Sequence, residues 1–393
     1  METRNEPADV AAETQENSSS GTDAGPAFPA AYHPESYLPV LEGKTLGLVV
    51  NQTSTVGNTH LVDTLLALGL DVRRIFAPEH GFRGEADAGA EITDGVDTRT
   101  NLPIRSLYGR NKKPAESDLA DLDLIVFDIQ DVGARFYTYI STLHYVMESA
   151  ARAGKPVLIL DRPNPNGHYV DGPIRKPGFE SFVGLDPIPV VHGLTVGEYA
   201  RMVNGEGWLG EGLRCDLTVI PCPGYTHEAV YELPVAPSPN LPNQRSIYLY
   251  PSLCFFEGTA LSVGRGTNRQ FQLYGHPQLT GAPDSFTPRP GPGAADPKLN
   301  GQLCHGYDLS KAPAATYRGS RIDLTPLLST YQVLTAQGQT FFTRPDFFDL
   351  LAGTDDLRKM IEAGRSEAEI RDSWSAELRA YRDMRKGYLL YPE

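Results

Sequence analysis

The sequence predicts an α/β protein with a Rossmann-like domain built on a mostly parallel sheet. Three observations support this fold class. The chain has 393 residues, more than a single hydrophobic core usually serves, so two domains are expected. Short apolar runs alternate with amphipathic stretches over residues 46–209, as in parallel sheets covered by helices on both faces. The 38 glycines and 32 prolines indicate many turns and argue against a helical bundle.

The predicted elements of the first domain follow this alternation. Thr195 and Glu198 form a capping-box pattern that begins a helix, and Gly154 ends an earlier one. Near-continuous apolar runs indicate strands that are buried on both faces. The expected strands are 46–50, 72–77, 123–128, 156–160 and 217–220, and the expected helices are 60–70, 137–153 and 195–209.

The C-terminal part is predicted to be mostly helical, with helices over 346–361 and 366–389. In the second helix an apolar stripe at helical spacing indicates core packing; it consists of Ile370, Trp374, Leu378, Tyr381 and Met384. The proline-rich stretch 277–297 is expected to be a long ordered loop or a linker. We therefore divide the chain into a disordered acidic tail (1–36), a Rossmann-like catalytic domain (37–210) and a smaller C-terminal α/β domain (211–393).

The charge of the chain is acidic and unevenly distributed. The formal net charge is −14, and residues 1–40 hold seven acids and one base. The beginning of that stretch is polar and cannot bury enough apolar surface to offset its ordering entropy. An acidic chain argues against nucleic acid and anionic membrane surfaces as partners. No apolar run is long enough to span a bilayer. The sequence does not determine whether the protein is a monomer or a homodimer.

The cellular compartment is not decided by the N-terminus or by the cysteines. Met1 is followed by acidic and polar residues, so no signal peptide is evident. The protein is either cytoplasmic, or exported with its signal segment already removed. Buried free thiols are the preferred interpretation of the four cysteines, although a disulfide between two distant ones remains open; they are Cys215, Cys222, Cys254 and Cys304.

A dinucleotide cofactor is not expected. The first predicted strand is followed by residues 51–57, which lack the Gly-x-Gly-x-x-Gly pattern that binds a pyrophosphate. The glycine-rich stretch 264–266 lies far downstream without a strand–helix–strand frame. We therefore predict no cofactor.

Polar side chains follow four of the predicted strands, at the edge where ligands bind in open parallel sheets. Carboxylates, amides and aromatic rings predominate, and these groups suit a sugar site because they bind hydroxyls and stack on sugar rings. The candidates in this group are Asn51, Glu79, His80, Arg83, Gln130, Asp131, Arg135, Tyr137, Arg162 and Asn164.

Glu79 is the main candidate for a general acid. Apolar Phe76 and Phe82 flank it in sequence, and an apolar environment favours the protonated form of a carboxyl group. The alternative is a carboxylate that caps a helix or forms a salt bridge. Arg135 is a candidate for binding a substrate carboxylate such as a lactyl group, or it pairs with Asp128 or Asp161.

Three further positions carry candidate groups. His192 ends another apolar run and is either a ligand-binding or a structural residue. In a second cluster, Glu257 is a candidate carboxylate, with a buried ion pair to Arg265 as the alternative. Asn240 lies in a stiff, proline-rich segment upstream of that cluster.

Five motifs resemble the bacterial exo-β-N-acetylmuramidases, the NamZ-type glycoside hydrolases. They run in the same order along nearly the whole chain after the tail. In this sequence they are Glu-His-Gly-Phe-Arg-Gly at 79–84, Asp-Ile-Gln-Asp-Val-Gly-Ala-Arg-Phe-Tyr-Thr-Tyr at 128–139, Asp-Arg-Pro-Asn-Pro at 161–165, His-Gly-Leu-Thr-Val-Gly-Glu at 192–198, and Glu-Gly-Thr with Ser-Val-Gly-Arg-Gly-Thr at 257–267.

The resemblance implies an active cleft between a Rossmann-like domain and a smaller α/β domain. It implies release of N-acetylmuramic acid from the non-reducing end of peptidoglycan fragments, with Glu79 as the catalytic glutamate. The second carboxylate stays open among Asp131, Asp171 and Glu257. Retaining, inverting and substrate-assisted mechanisms all remain possible, because the sequence gives no carboxylate separation.

Two other functions compete with the glycosidase. A metal-dependent hydrolase would use ligands chosen from five residues, but short His-x-His or His-x-x-x-His spacings are missing; the residues are His60, His80, His192, Asp128 and Asp131. A non-catalytic saccharide-binding protein would use the same cleft.

A peptidoglycan substrate favours a periplasmic or secreted protein, with the cytoplasm as the alternative.

Overall fold

The computed structural model describes residues 26–82 and 93–393. The strands, in chain order, are β1 (Thr45–Val50), β2 (Thr55–Val56), β3 (Thr59–His60), β4 (Asp71–Ala77), β5 (Gly95–Val96), β6 (Pro103–Ser106), β7 (Leu124–Asp128), β8 (Val157–Leu160), β9 (Asp171–Ile174), β10 (Pro189–Val191), β11 (Leu217–Ile220), β12 (Leu273–His276), β13 (Asp284–Phe286) and β14 (Cys304–Asp308). The α-helices are α1 (Pro34–Leu41), α2 (Leu61–Ala67), α3 (Glu116–Leu119), α4 (Tyr139–Ala153), α5 (Val196–Glu206), α6 (Gln244–Leu253), α7 (Thr325–Ala336), α8 (Pro345–Ala352), α9 (Asp356–Glu362) and α10 (Glu367–Arg385).

A seven-stranded sheet forms the centre of the N-terminal half and confirms the predicted α/β fold. Its strand order is β11-β8-β7-β1-β4-β6-β5. All neighbours are parallel except β5 and β6 at one edge. Every residue of β7 and β8 is buried, because helices cover both faces of the sheet. The carboxyl ends of the parallel strands therefore meet at one edge, as expected.

The structure confirms the two helix ends that the sequence predicts, namely the start of α5 and the end of α4. Thr195 accepts a hydrogen bond from the backbone N–H of Glu198, whose side chain in turn accepts from the N–H of Thr195, so the capping box of α5 is complete. Gly154 ends α4 in the left-handed conformation, with φ of 63°.

Two predicted domain limits differ from the structure. Strand β11 pairs with β8, so the sheet extends past the predicted boundary at residue 210. Residues 26–36, which the sequence assigns to the disordered tail, are ordered and include the start of α1. Their order has a physical cause, because Ala30 and Ala31 are fully buried and pack in the same core as β1. The rest of the predicted tail, residues 1–25, lies outside the described residues.

The C-terminal half combines helices with a three-stranded antiparallel sheet of order β12-β14-β13. The helix predicted over 346–361 is instead two helices, α8 and α9. Gly353 separates them with φ of 74°, a conformation that a side chain would strain. The proline-rich stretch 277–297 is an ordered connection that contains β13.

The last helix, α10, packs the predicted apolar stripe into the core, with four of its five members buried and Met384 half-buried. All four cysteines are free and buried, as preferred from the sequence. Over the described residues, no helix is long and apolar enough to cross a membrane.

Candidate active site

A cavity of about 870 Å³ lies between the N-terminal sheet and the C-terminal half. Glu79 and His80, which directly follow β4, and Tyr137 and Thr138, which precede α4, line it from the sheet side. The 3₁₀ turn around Glu257 and the start of α8 line it from the other side. Among the sequence-predicted residues the cavity brings together Glu79, His80, Tyr137, Asn240, Glu257 and Arg265.

The side chain of Glu79 is positioned by hydroxyl groups. The Thr138 hydroxyl donates a hydrogen bond to Oε2 of Glu79 at 2.6 Å, even though Thr138 occupies the N-cap position of α4 and caps nothing. The Tyr108 hydroxyl lies close to Glu79, and burial together with this carboxylate raises the pKa of Tyr108. The glutamate is therefore held at the cavity wall in a defined orientation.

His80 stands beside Glu79 on a strained backbone. Its φ of 67° lies in the left-handed region, which is unfavourable for a residue with a side chain. Its Nε2 atom lies 3.2 Å from the hydroxyl oxygen of Ser238. The turn after β4 thus directs both predicted residues toward the C-terminal half.

The segment that contains Asn240 joins the two sides of the cavity. The carbonyl of Pro237 accepts hydrogen bonds from the Tyr137 hydroxyl at 2.7 Å and from the Tyr139 hydroxyl at 3.2 Å. Asn240 donates through Nδ2 to the carbonyl of Gly293 at 2.7 Å. The stiff, proline-rich segment therefore fixes the position of one half against the other.

Glu257 and Arg265 form the ion pair that the sequence offered as an alternative, but the pair is half-buried and not fully buried. Nε and Nη2 of Arg265 lie 2.6 and 3.1 Å from the two carboxylate oxygens, a bidentate geometry. Burial alone would raise the pKa of Glu257, but Arg265, Lys298 and Arg344 together lower it below its usual value. Glu257 is therefore an ionised carboxylate on the cavity wall.

Four charged residues of the cavity were missed from the sequence. They lie in irregular segments or at a helix end, where no periodic pattern marks them; they are Lys112, Asp296, Lys298 and Arg344. The only feature of the sequence that could have indicated a role for these four residues is their charge. Among the described lining residues, four lysines and arginines stand against three carboxylates in a chain whose net charge is −14.

Five other candidates are buried behind the cavity wall. Gln130 donates to the carbonyls of Asp131 and Pro163, and Asp131 accepts from the N–H of Gly133. Nε2 of His192 lies 3.8 Å from Oδ2 of Asp131. None of these residues lines the described cavity; the group consists of Asn51, Gln130, Asp131, Asn164 and His192.

Two buried arginines do not contact the cavity. Arg162 forms a bidentate ion pair with Asp128. Arg135 donates to the carbonyls of Pro173, Ile188 and Leu351. The predicted pairing of Arg135 with Asp128 or Asp161 is therefore wrong. The residue is 99% buried and its guanidinium is bonded to backbone carbonyls, so it is not placed to bind a substrate carboxylate.

The remaining candidates are separated from the cavity. Oδ2 of Asp171 accepts from the backbone N–H of Ile322 at 2.8 Å and from Arg371 at 3.0 Å, so this carboxylate joins β9 to α10. Arg83 lies outside the described residues. Within residues 26–82 and 93–393, no three His, Cys, Asp or Glu side chains are grouped so that they could hold a metal ion.

Comparisons with known proteins agree with this architecture. The family model for the N-terminal part of exo-β-N-acetylmuramidase NamZ matches residues 46–245, and the model for its C-terminal part matches residues 248–391. The chain is 37% identical over 381 residues to the peptidoglycan β-N-acetylmuramidase NamZ of Bacillus subtilis strain 168, covering 90% of this chain and 89% of that protein.

Two solved structures from Bacteroides fragilis, both of proteins described as DUF1343 family members, share the fold. The first is 47% identical with a TM-score of 0.86, and the match covers 94% of this chain and 100% of that one. The second is 27% identical with a TM-score of 0.77, and the match covers 93% and 99%. This chain belongs to the NamZ family of exo-β-N-acetylmuramidases and is a glycosidase.

Proposed function

We propose that the enzyme releases N-acetylmuramic acid from the non-reducing end of peptidoglycan fragments in the cavity between its two halves, with Glu79 as the general acid and base. The observation that carries this assignment is the placement of Glu79 on the cavity wall, where the Thr138 hydroxyl holds its carboxyl group. Glycoside cleavage requires a carboxylic acid that protonates the departing oxygen.

Glu257 is the second carboxylate that this proposal favours. Of the three candidates, Asp131 lies behind the wall, Asp171 joins β9 to α10, and Glu257 lines the cavity. Its ionised form can stabilise positive charge that develops at the anomeric carbon. Because the negative charge of Glu257 is already paired with Arg265, we assign Glu257 an electrostatic role. The nucleophile in this proposal is the acetamido group of the substrate.

The first experiment replaces Glu79 by Gln, which removes the proton but keeps the shape. We expect kcat on a muramyl disaccharide to fall by about 10²- to 10⁴-fold, the usual contribution of general acid–base catalysis. The loss should be smaller on a nitrophenyl muramide, because a nitrophenolate leaves without protonation. The exposed Glu228→Gln is the matched control and should retain full activity.

Two outcomes decide the assignment. If Glu79→Gln retains more than about a tenth of the wild-type kcat on the disaccharide, a barrier change under about 1.4 kcal/mol, Glu79 is not the acid. If wild-type enzyme binds but never cleaves muramides, the site is a binding site only. The anomeric configuration of the released sugar, read by proton NMR, tests the role of the acetamido group, because its attack requires retention.

The proposed substrate also bears on location. Peptidoglycan lies outside the cytoplasmic membrane, which supports a periplasmic or secreted enzyme over a cytoplasmic one that acts in cell-wall recycling. Fractionation of the producing cell with an antibody against this chain distinguishes the two. Recovery only with cytoplasmic markers would contradict an exported enzyme.

A further inference from the structure

Arg344 is a cation of the cavity that forms no ion pair with an acid of the described chain. It lines the cavity at the N-terminal end of α8 and is exposed. Its backbone N–H donates to the carbonyl of Gly258 at 3.0 Å, next to Glu257. Within residues 26–82 and 93–393 its guanidinium forms no ion pair. Its charge helps to lower the pKa of Glu257, but its guanidinium N–H groups remain available to a ligand.

The guanidinium is also held in place. It lies 4.3 Å from the ring centroid of Phe347, which lines the same cavity. A cation stacked on an aromatic face keeps the in-plane N–H groups available while losing much of its rotational freedom. An ordered guanidinium with available N–H groups suits bidentate binding of a carboxylate.

The other cations of the cavity are less suited to this task. Arg265 is committed to Glu257, and Lys298 donates to the backbone carbonyls of residues 256, 257 and 259. Lys112 has no acid partner in the described chain, and its ammonium lies 4.7 Å from the Phe182 ring centroid. An ammonium group, however, cannot form the two parallel hydrogen bonds with which a guanidinium binds a carboxylate.

The position of Arg344 relative to Glu79 adds a geometric argument. Lys112 lies in the same chain segment as Tyr108, which is close to Glu79, whereas Arg344 lines the cavity from the C-terminal half. In muramic acid the lactyl ether is attached to the third ring carbon and the scissile bond to the first. Because these are different ring carbons, a sugar whose glycosidic oxygen meets Glu79 places its lactyl group at a separate position in the cavity, where another residue has to bind it.

We propose that Arg344 is a specificity-determining residue that binds the lactyl carboxylate of muramic acid. The inference rests on the proposed function and assigns to Arg344 the task that the sequence suggested for Arg135. It gives a task to a cavity arginine that has no ion-pair partner in the described chain. Glucosamine derivatives, which lack the lactyl group, would gain nothing from this residue.

The test compares two nitrophenyl muramides, one with a free lactyl carboxylate and one with its methyl ester. Wild-type enzyme should prefer the free acid in kcat/KM by about 10- to 100-fold, the range for a charged hydrogen-bonded pair. Arg344→Gln should lose this preference mainly through KM, and Arg344→Lys should retain part of it. Calorimetry with free N-acetylmuramic acid provides a second measurement that does not depend on turnover.

Two controls and two outcomes complete the experiment. The exposed Arg379→Gln on α10 changes the net charge equally and should keep the preference. If Lys112→Gln removes the preference and Arg344→Gln keeps it, the carboxylate binds at Lys112 and this inference is wrong. Absence of muramide cleavage by wild-type enzyme would overturn the proposed function itself, whereas cleavage with an unchanged preference in Arg344→Gln overturns only the role of Arg344.

Discussion

At the scale of single residues, Lys298 is a cation in an unfavourable environment. Its ammonium lines the cavity and donates to three backbone carbonyls around Glu257. Burial lowers its pKa to about 8; Glu257 opposes the change, and Arg344 and Arg265 add to it. The group therefore loses its charge near the upper end of the physiological pH range.

The titration of Lys298 predicts opposite changes in binding and stability. The ammonium is charged below about pH 8, so KM for an anionic muramide should rise, by roughly fivefold, as the pH passes through that value. An unfolded lysine keeps its proton to about pH 10.4, so the folded state holds fewer protons between these values. The free energy of unfolding should accordingly increase with pH over the same window.

The measurement is a pH series of KM and of urea unfolding, compared with the same series for Lys298→Arg. Arginine stays protonated throughout, so both pH effects should disappear in that variant. If Lys298→Arg shows the same increase in KM near pH 8, another group is responsible for it.

The polar residues after the strands could be found in the sequence, but their separate tasks could not. Glu79 and Asp131 both follow buried strands, and the sheet brings both to its carboxyl edge. Only Glu79 lines the cavity, because Asp131 turns back to accept the N–H of Gly133. Polar side chains at strand ends also satisfy loop backbone, and the sequence does not show which of the two tasks a residue has.

At the scale of elements, the C-terminal segment after α10 returns to the central sheet. The Tyr391 hydroxyl donates to Oδ2 of Asp161, which directly follows β8, at 2.5 Å. It also accepts the backbone N–H of Cys222 at 2.9 Å. The last residues of the chain thus close the end of the sheet between β8 and β11.

This contact predicts a stability loss for Tyr391→Phe. Removing the hydroxyl leaves a buried carboxylate oxygen and a buried N–H each short of one partner, which should lower the free energy of unfolding by about 1–3 kcal/mol. Tyr388→Phe is the control, because its hydroxyl bonds to Glu206 near the surface and should change stability by less than about 0.5 kcal/mol. Equal urea midpoints for the two variants would contradict the structural role of Tyr391.

The elements themselves were predictable where their periodicity is strong. The strands over 46–50 and 156–160 are continuous apolar runs and were located within one residue at each end. The antiparallel sheet of the C-terminal half was not predicted, since β12 and β14 contain His, Gly and Asp residues without clear alternation. Pairing between distant short strands, which determines that sheet, leaves no local signal in the sequence.

At the scale of the whole molecule, Arg135 joins the two halves. Its guanidinium donates to Pro173 and Ile188 in the N-terminal half and to Leu351 of α8 in the C-terminal half. Burial, and to a lesser extent Arg175, lowers its pKa to about 9. A Cβ atom at Gly353 would lie 2.7 Å from Nη2 of Arg135, so the glycine that separates α8 from α9 also makes room for this contact.

Replacing Arg135 by Met should therefore destabilise the protein without changing substrate recognition. Three buried carbonyls would lose their charged donor, at a cost of at least about 3 kcal/mol in the free energy of unfolding. We expect a clear decrease in Tm by calorimetry, while KM for the muramide stays at the wild-type value well below the transition. Arg344→Gln should show the opposite pattern, with altered KM and unchanged Tm. An Arg135→Met variant with wild-type Tm and a raised KM would show instead that Arg135 contacts the substrate. A bond between the two halves contributes to the stability of the protein, whereas a contact with the ligand contributes to its affinity.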